Sequence, residues 1–249
     1  MFPEIGSWGP FTLYSFGLMA ALALVVPALF LALDLRQRGL NPGFAVEAMF
    51  AAGIGGFVGA RLYYVVEHRG EPGVSLVSGS GLVWYGGVIG GVVCVVLVSV
   101  WRRKPIGLVA NLVAAPLALG YAIGRIGCQL SGDGDYGSAS GLPWAMSYPD
   151  GTVPTTRLVH PTPLYESVAL LVVFWLLWRL RGRLTGGWQL FGAYLVLGGV
   201  ERFLIEFIRQ NPTELAGLTT AQLISVVSVV VGALLVARPG AGRARPAPA

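Results

Sequence analysis

Residues 120–137 read GYAIGRIGCQLSGDGDYG and place an arginine between two glycines at the end of an apolar run. Before Arg125 the chain is apolar enough for a membrane helix, and after it the chain becomes too polar for lipid. A charged side chain at such a boundary is costly, so membrane proteins usually keep one there for function. The alternative is an interfacial arginine whose side chain extends to lipid headgroups. We interpret the rest of the chain as a frame that holds this segment at one face of a bilayer.

The composition around this segment is that of a membrane protein. The 249 residues are 55% hydrophobic and 12% charged, whereas a soluble domain carries about 25% charged residues. Apolar runs of about 20 residues predict seven spans, near 11–33, 44–66, 82–101, 106–124, 163–180, 187–205 and 219–237. We therefore predict an all-α polytopic membrane protein with one integral-membrane domain over 1–237, a small cap at about 125–161 and a disordered cytoplasmic tail at 238–249.

Small residues and cysteines refine this prediction. Gly55, Gly56, Gly59 and Ala60 form two overlapping small-xxx-small faces, which favour close packing against another helix. The two cysteines have no CxxC or Cys/His spacing, so they indicate neither a disulfide framework nor a metal site. The first apolar segment has no preceding basic residues and is long enough to span, so we expect it to be retained rather than cleaved as a signal peptide.

The distribution of basic residues predicts the orientation. With seven spans, the loops near 34–40, 101–104 and 179–183 and the C-terminal tail fall on one side. They hold two, three, three and three basic residues, which is 11 of the 17 Lys and Arg. The positive-inside rule makes that side cytoplasmic, with the N-terminus and the cap outside. Because the basic residues lie at helix ends, the net charge of +5 does not indicate a nucleic acid partner.

Several of the remaining charged residues lie in the spans or on the outer side. They include the arginines Arg61, Arg125, Arg157, Arg202 and Arg209, which run against that rule, and the acidic residues Asp133, Asp135, Glu166, Glu201 and Glu206. Arginines gathered at the outer leaflet would bind an anionic headgroup, because a guanidinium donates two parallel hydrogen bonds to phosphate.

Two further stretches carry charged or polar groups at helical positions. His160 to Glu166 read HPTPLYE and begin the fifth span, where the prolines favour a helix start. His160 is a candidate base or phosphate contact, or simply a polar residue at a helix start, and we expect Glu166 to pair with a buried arginine. Arg202 and Glu206 are spaced i, i+4 on one helix face with Arg209 near it, which predicts a paired network.

These motifs together resemble the prolipoprotein diacylglyceryl transferases. The resemblance rests on GRIG at 124–127, HPTPLYE at 160–166, RFLIEFIR at 202–209, YGGVIGG at 85–91 and FGLM at 16–19, in matching order over nearly the whole chain. It implies transfer of the diacylglyceryl group of phosphatidylglycerol to the lipobox cysteine of a bacterial prolipoprotein signal peptide. It also implies glycerol-1-phosphate as leaving group, an inner-membrane site open to the periplasm, and no cofactor.

The resemblance assigns roles to residues of this chain. The two phosphate-side arginines of the family fall on Arg125 and Arg202, its acidic residue on Asp133 and its closing glycine on Gly137. The other implied substrate-binding residues are Gly86, Gly87, Gly124, Gly127, Tyr165, Glu206 and Arg209.

The chain also departs from the family pattern. Cys128, Gln129 and Ser131 replace the amide-bearing stretch after the arginine, Tyr85 replaces a histidine, and Phe16 and Gly198 replace tyrosines. The general base is therefore open between Tyr85, His160 and none, since a positive site can lower the pKa of the substrate thiol. The alternatives are a transporter for an anionic lipid or solute, which predicts inverted repeats that the sequence does not show, and a catalytically inactive lipid-binding homologue.

Overall fold

The computed structural model describes residues 1–9, 11–69, 81 and 83–238. Over these ranges the chain forms seven α-helices and three two-stranded antiparallel hairpins. The helices are α1 (Ser15–Gln37), α2 (Gly43–Glu67), α3 (Trp84–Trp101), α4 (Ile106–Ser131), α5 (Thr162–Leu180), α6 (Gln189–Ile205) and α7 (Thr220–Ala237). The strands are β1 (Glu4–Trp8), β2 (Phe11–Tyr14), β3 (Met146–Tyr148), β4 (Thr155–Val159), β5 (Thr213–Leu215) and β6 (Leu218–Thr219).

The helices confirm the predicted class of an all-α polytopic membrane protein. Six of them, α1 to α5 and α7, are long and apolar enough to cross a bilayer. The seventh, α6, has 17 residues and continues directly into a 3₁₀ turn over Glu206–Ile208. The predicted tail at 238–249 lies outside the described residues, apart from Arg238.

Helix α4 is longer than the sequence predicted. It continues through Arg125 to Ser131 and ends at Gly132, whose φ of 58° is the left-handed conformation common after a helix. Gln129 is one of the polar residues that suggested an earlier helix end. It is hydrogen-bonded within the structure, because the Tyr148 hydroxyl donates to its Oε1 at 2.9 Å. Arg125 therefore lies within α4, six residues before its last residue, rather than at the end of the helix.

The chain divides into two compact units. The smaller, Ala28–Val109, is built on α2 and α3. A Cβ added at Gly59 would collide with the carbonyl oxygen of Gly86, and one at Gly90 with that of Gly55. The small residues of α2 thus pack directly on the α3 backbone, which confirms the packing face predicted from the sequence.

The larger unit, Met1–Pro27 together with the described residues from Ala110 onward, carries the cap. Ala114, Ala115 and Ala118 of α4 pack against Val173, Leu177 and Leu190 of α5 and α6. The Asn111 side chain joins the same helices, because its Oδ1 accepts the N–H groups of Leu190 and Phe191 at 2.9 and 3.1 Å. These contacts hold α4, α5 and α6 side by side.

The cap is tied back to the helices through the backbone at Gly137. Gly137 N donates to His160 O at 2.8 Å, and Ser138 N donates to Ile208 O at 2.8 Å. A Cβ on Gly137 would lie 2.5 Å from Ile208 O, so the crossing of these segments requires glycine. The loop that contains Asp135 is thereby fixed beside the start of α5 and the end of α6.

Candidate active site

Three arginines of the larger unit converge on one buried carboxylate. Glu166, on the first turns of α5, is 0% exposed. Its Oε2 lies 3.2 Å from Arg125 Nε and 3.5 Å from Arg209 Nη1, and its Oε1 accepts from Arg202 Nη1 at 3.2 Å. The sequence-based expectation that Glu166 pairs with a buried arginine is confirmed.

Two further carboxylates complete this charge cluster, which consists of Arg125, Asp135, Glu166, Arg202, Glu206 and Arg209. Asp135 accepts from Arg125 on one oxygen and from Arg209 on the other. Glu206 Oε2 lies 2.7 Å from Arg202 Nη2, which confirms the predicted i, i+4 pair. Its Oε1 accepts from Asn211 Nδ2 at 2.6 Å and from Thr219 Oγ1 at 2.8 Å.

Charge balance explains how the cluster tolerates burial. Three guanidinium groups face three carboxylates, so the formal charge of the cluster is zero. Buried ions are stable only when paired and hydrogen-bonded, because each loses its hydration. The Tyr121 hydroxyl, four residues before Arg125, adds a further acceptor for Arg125 Nη2 at 3.0 Å.

The cluster is accessible through two of its members. The Arg202 side chain is 21% exposed and Asp135 is 31% exposed, whereas Arg209 is 9% exposed and Glu166 is 0% exposed. Arg125 Nε and Arg209 Nε and Nη1 are buried and make no well-oriented hydrogen bond to any described residue. These nitrogens face the carboxylates of Glu166 and Glu206, so Arg202, the most exposed of the three, is the guanidinium that an arriving anion would meet first.

Asp135 and Asp133 differ in their electrostatic surroundings. Burial alone would raise the pKa of Asp135, but Arg125 and Arg209 lower it below the usual value. Burial raises the pKa of Asp133, which has no such arginine pair and whose Oδ1 accepts from Asp135 N at 3.3 Å. Asp133 thus supports the loop, while Asp135 is the charged partner of the arginines.

One group of side chains has the spacing of metal ligands. Cys128 Sγ and one carboxylate oxygen each from Asp133 and Asp135 lie within 4.8 Å of one another. Arg125 Nη1 is 3.8 Å from the same sulfur, and Asp135 already pairs with two arginines. These positive charges disfavour a bound cation at this position.

His160 and Tyr165 border the cluster rather than join it. His160 Nδ1 lies 3.5 Å from the Tyr165 hydroxyl, which accepts from Trp144 Nε1 at 2.7 Å. Thr162, two residues after His160, donates to the backbone oxygen of Asp135 at 2.5 Å. This loop is therefore hydrogen-bonded to the backbone of the cluster at Asp135. Among the described contacts, neither the His160 ring nor the Tyr165 ring contacts an arginine of the cluster.

The predicted glycines and Tyr85 lie in different settings. A Cβ at Gly124 would meet nothing within 4 Å, so the helix surface beside Arg125 is open there. A Cβ at Gly127 would lie 3.0 Å from Met19 Cβ, so this glycine allows α1 and α4 to pack closely. Tyr85, 43% exposed, and the predicted Gly86 and Gly87 belong to the smaller unit, in the first turn of α3.

Sequence reasoning named Arg125, Arg202, Arg209 and Glu206, which the structure brings together. It listed Asp135 among the charges on the outer side without assigning it a role in the site, and it did not single out Tyr121. Tyr121 carried a local signal, because it lies four residues before Arg125 on the same helix. The only sequence indication for Asp135 was its position in a polar segment. Its ion pair with Arg209 joins residues 74 positions apart in the sequence, so no local pattern predicts it.

The fold and the cluster define a multi-pass membrane protein with a buried cluster of arginines and carboxylates, contributed by α4, α5, α6, the loop after α4 and the segment after α6. The family model described as Prolipoprotein diacylglyceryl transferase matches residues 3–238. A relative from Clostridium tetani (strain Massachusetts / E88), named phosphatidylglycerol--prolipoprotein diacylglyceryl transferase, is 30% identical over 227 residues, which cover 88% of this chain and 90% of the relative. A relative of the same name from Trichormus variabilis (strain ATCC 29413 / PCC 7937) is 30% identical over 245 residues, with 92% and 86% covered. The chain belongs to the prolipoprotein diacylglyceryl transferase family.

Proposed function

We propose that this protein transfers the diacylglyceryl group of phosphatidylglycerol to the thiol of the lipobox cysteine in a bacterial prolipoprotein. Family membership over residues 3–238 supports the reaction. The single structural observation that carries the proposal is the buried cluster of Arg125, Arg202 and Arg209, which suits a lipid phosphate. The partners are phosphatidylglycerol, the prolipoprotein signal peptide and the lipid bilayer, and the reaction needs no cofactor.

In this proposal Arg202 and Arg125 hold the phosphate. Arg202 is the most exposed of the three arginines and would meet the headgroup first. Glu166 pairs with both guanidinium groups on their buried side, at nitrogen–oxygen distances of 3.2 Å to each. The donors are thus oriented before the substrate arrives, which is how preorganised electrostatic catalysis lowers a barrier.

The chemistry is a substitution at carbon. The thiol sulfur attacks the glycerol carbon that carries the phosphate, a carbon–sulfur bond forms, and the carbon–oxygen bond to phosphate breaks. The electron pair of that bond leaves with glycerol-1-phosphate, and the arginines stabilise the charge that develops on it. Tyr85 and His160 are the candidates to accept or orient the thiol proton. Asp133, Gly137 and Tyr165 would shape the loop around the headgroup.

The topology is part of the same proposal. We infer an inner-membrane protein in which residues 1–237 act as one transferase domain. The basic loops after α1, α3 and α5 would face the cytoplasm, together with the C-terminus. The N-terminus, the cap and the charge cluster would then face the periplasm, where a translocated prolipoprotein presents its cysteine.

The test is transfer by the purified protein. We expect wild-type protein, phosphatidylglycerol with a labelled acyl chain and a lipobox peptide to give a thioether-linked product, seen by mass spectrometry. Arg125→Ala and Arg202→Ala should each lower the rate by about 10²- to 10³-fold, as loss of a transition-state donor does. Arg157→Ala is the matched control, because Arg157 is an exposed arginine of the cap.

The opposite results would remove parts of the proposal. Absence of product with wild-type protein, or full activity of Arg125→Ala, would contradict the assigned reaction. Lipid binding without product would instead indicate an inactive lipid-binding homologue. Tyr85→Phe or His160→Asn at the full wild-type rate would remove that residue as a general base.

A further inference from the structure

One carboxylate beside the charge cluster has no hydrogen-bond partner among the described residues. Both carboxyl oxygens of Glu201, on α6, are buried and make no hydrogen bond to any residue in the described part of the chain. The three carboxylates of the cluster, in contrast, each pair with two or three arginines. The structure gives Glu201 the environment of a neutral group.

The surrounding charges support this reading. The cluster is already neutral without Glu201, so an ionised Glu201 would add an uncompensated buried charge. A buried carboxylate without hydrogen bonds or a cation is strongly disfavoured relative to its protonated form. A lipid phosphate bound at Arg202 would add another negative charge and favour the protonated acid further.

Glu201 is nevertheless adjacent to the cluster in the chain and within electrostatic range of its charges. It precedes Arg202 directly in the chain, and its carboxyl interacts electrostatically with groups from α4, α5 and the segment after α6. Helix α7, which packs on α6, carries no titratable side chain among Thr220–Ala237. The titratable or charged groups that interact with Glu201 are Arg125, Glu166, Tyr194, Arg202 and Arg209, and Tyr121 interacts in turn with Tyr194.

We propose that Glu201 is the proton donor of the transferase, an uncharged carboxylic acid that gives its proton to the phosphate oxygen as the carbon–oxygen bond breaks. This role rests on the proposed function, because it requires a phosphate at Arg202. Glu201 is not part of any motif on which the family resemblance rests. It directly precedes Arg202, the first residue of one of these motifs.

The proton balance closes without a further reactant. The carbon–oxygen electron pair goes to the phosphate oxygen, which takes the Glu201 proton and leaves as a glycerol phosphate monoanion. The thiol sulfur uses a lone pair to form the new carbon–sulfur bond and loses its proton to the base of the proposed function or to water, and that base or water returns a proton to the Glu201 carboxylate. In net terms one proton moves from the thiol to the leaving group, and the cluster has the same charge before and after the reaction.

Glu201→Gln tests the proposal, because glutamine keeps the size and neutrality of the acid but has no proton to donate. We expect its kcat to fall by about 10²-fold, near the lower end for general acid catalysis because a phosphate monoester is a weak base. The KM for phosphatidylglycerol should stay within about twofold. Glu214→Gln, at an exposed position of β5, is the matched control and should keep the wild-type rate.

The pH profile separates proton donation from a structural role. The wild-type rate should fall on the alkaline side as Glu201 loses its proton, and Glu201→Gln should lack that fall, whereas Tyr121→Phe and Tyr194→Phe should keep it. The infrared carbonyl band of a protonated carboxylic acid should be present in the wild-type protein and lost in Glu201→Gln.

The failures of the two proposals are distinguishable. If wild-type protein forms no thioether, the proposed function fails. If wild-type protein is active but Glu201→Gln keeps its kcat, changes only KM, or keeps the alkaline fall, Glu201 is not the proton donor. A wild-type infrared spectrum without a band that Glu201→Gln removes would also overturn the proposal, because Glu201 would then be ionised.

Discussion

Glu166→Gln is the perturbation that tests the charge cluster most directly. The substitution keeps the shape of the side chain and removes the negative charge on which three arginines converge. Glu166 is 0% exposed, and its oxygens lie 3.2, 3.2 and 3.5 Å from the arginine nitrogens. At an effective dielectric constant of about 20, each 3.2 Å contact corresponds to roughly 5 kcal/mol of gross attraction.

The net cost is smaller than this attraction, because Glu166 lost its hydration when it was buried. Removal of one partner from a buried ion pair typically costs about 3–5 kcal/mol. For a chain of about 250 residues, 1 kcal/mol corresponds to about 2–4 °C in the thermal midpoint. We therefore expect Glu166→Gln to lower the midpoint by about 6–20 °C.

The assay is thermal unfolding of the detergent-solubilised protein, followed by circular dichroism at a fixed scan rate. Glu47→Gln is the control, because Glu47 pairs with Arg102 where their side chains are 31% and 44% exposed. An exposed ion pair contributes little to stability because water screens it, so its loss should leave the midpoint close to the wild-type value. Equal midpoints for wild-type protein and Glu166→Gln would refute the view that Glu166 compensates the buried arginines.

Two further predictions concern helix packing and acid stability. Gly59→Val should prevent the close packing of α2 on α3, because a Cβ there collides with the carbonyl oxygen of Gly86. The yield of folded protein, measured by gel filtration, should therefore fall. Gly17→Ala has open space around the added methyl group and should fold normally in the same assay. Because the folded-state pKa of Asp135 is lowered, its ion pairs contribute stability above the usual pKa of 3.8, and that stability is lost as the pH falls through the lowered value. Asp135→Asn should therefore reduce the thermal midpoint at neutral pH and flatten its decrease below about pH 4, and an unchanged acid profile would contradict this assignment.

The sequence predicted the parts of this structure that depend on local patterns. Seven apolar runs predicted the seven helices, because a bilayer requires about 20 consecutive apolar residues per span. The i, i+4 spacing of Arg202 and Glu206 predicted their ion pair, and the small residues of α2 predicted a close helix contact. Each of these features is determined within one turn or one span of the chain.

The sequence did not reveal features that depend on contacts between distant segments. The polar residues after Arg125 suggested a helix end. In the structure Tyr148 from the cap donates a hydrogen bond to Gln129, and the helix continues. The family resemblance assigned the acidic role to Asp133, whose place in substrate binding stays a prediction. The ion pairs with the arginines are made by Asp135, two residues later, and depend on Arg209, 74 residues away.

A lipid-phosphate site within a membrane must satisfy two opposing requirements, and under the proposed function the charge cluster would meet both. Binding an anion requires several cations close together, yet cations without partners are costly at this depth. Glu166 and Glu206, which are 0% and 3% exposed, compensate the arginines from the buried side and fix their side chains. The accessible side carries Arg202 and Asp135, so the arginines can meet an anion there without first losing their buried partners. The cost of burying the cations is therefore offset during folding, and the same contacts orient the donors that a phosphate would use.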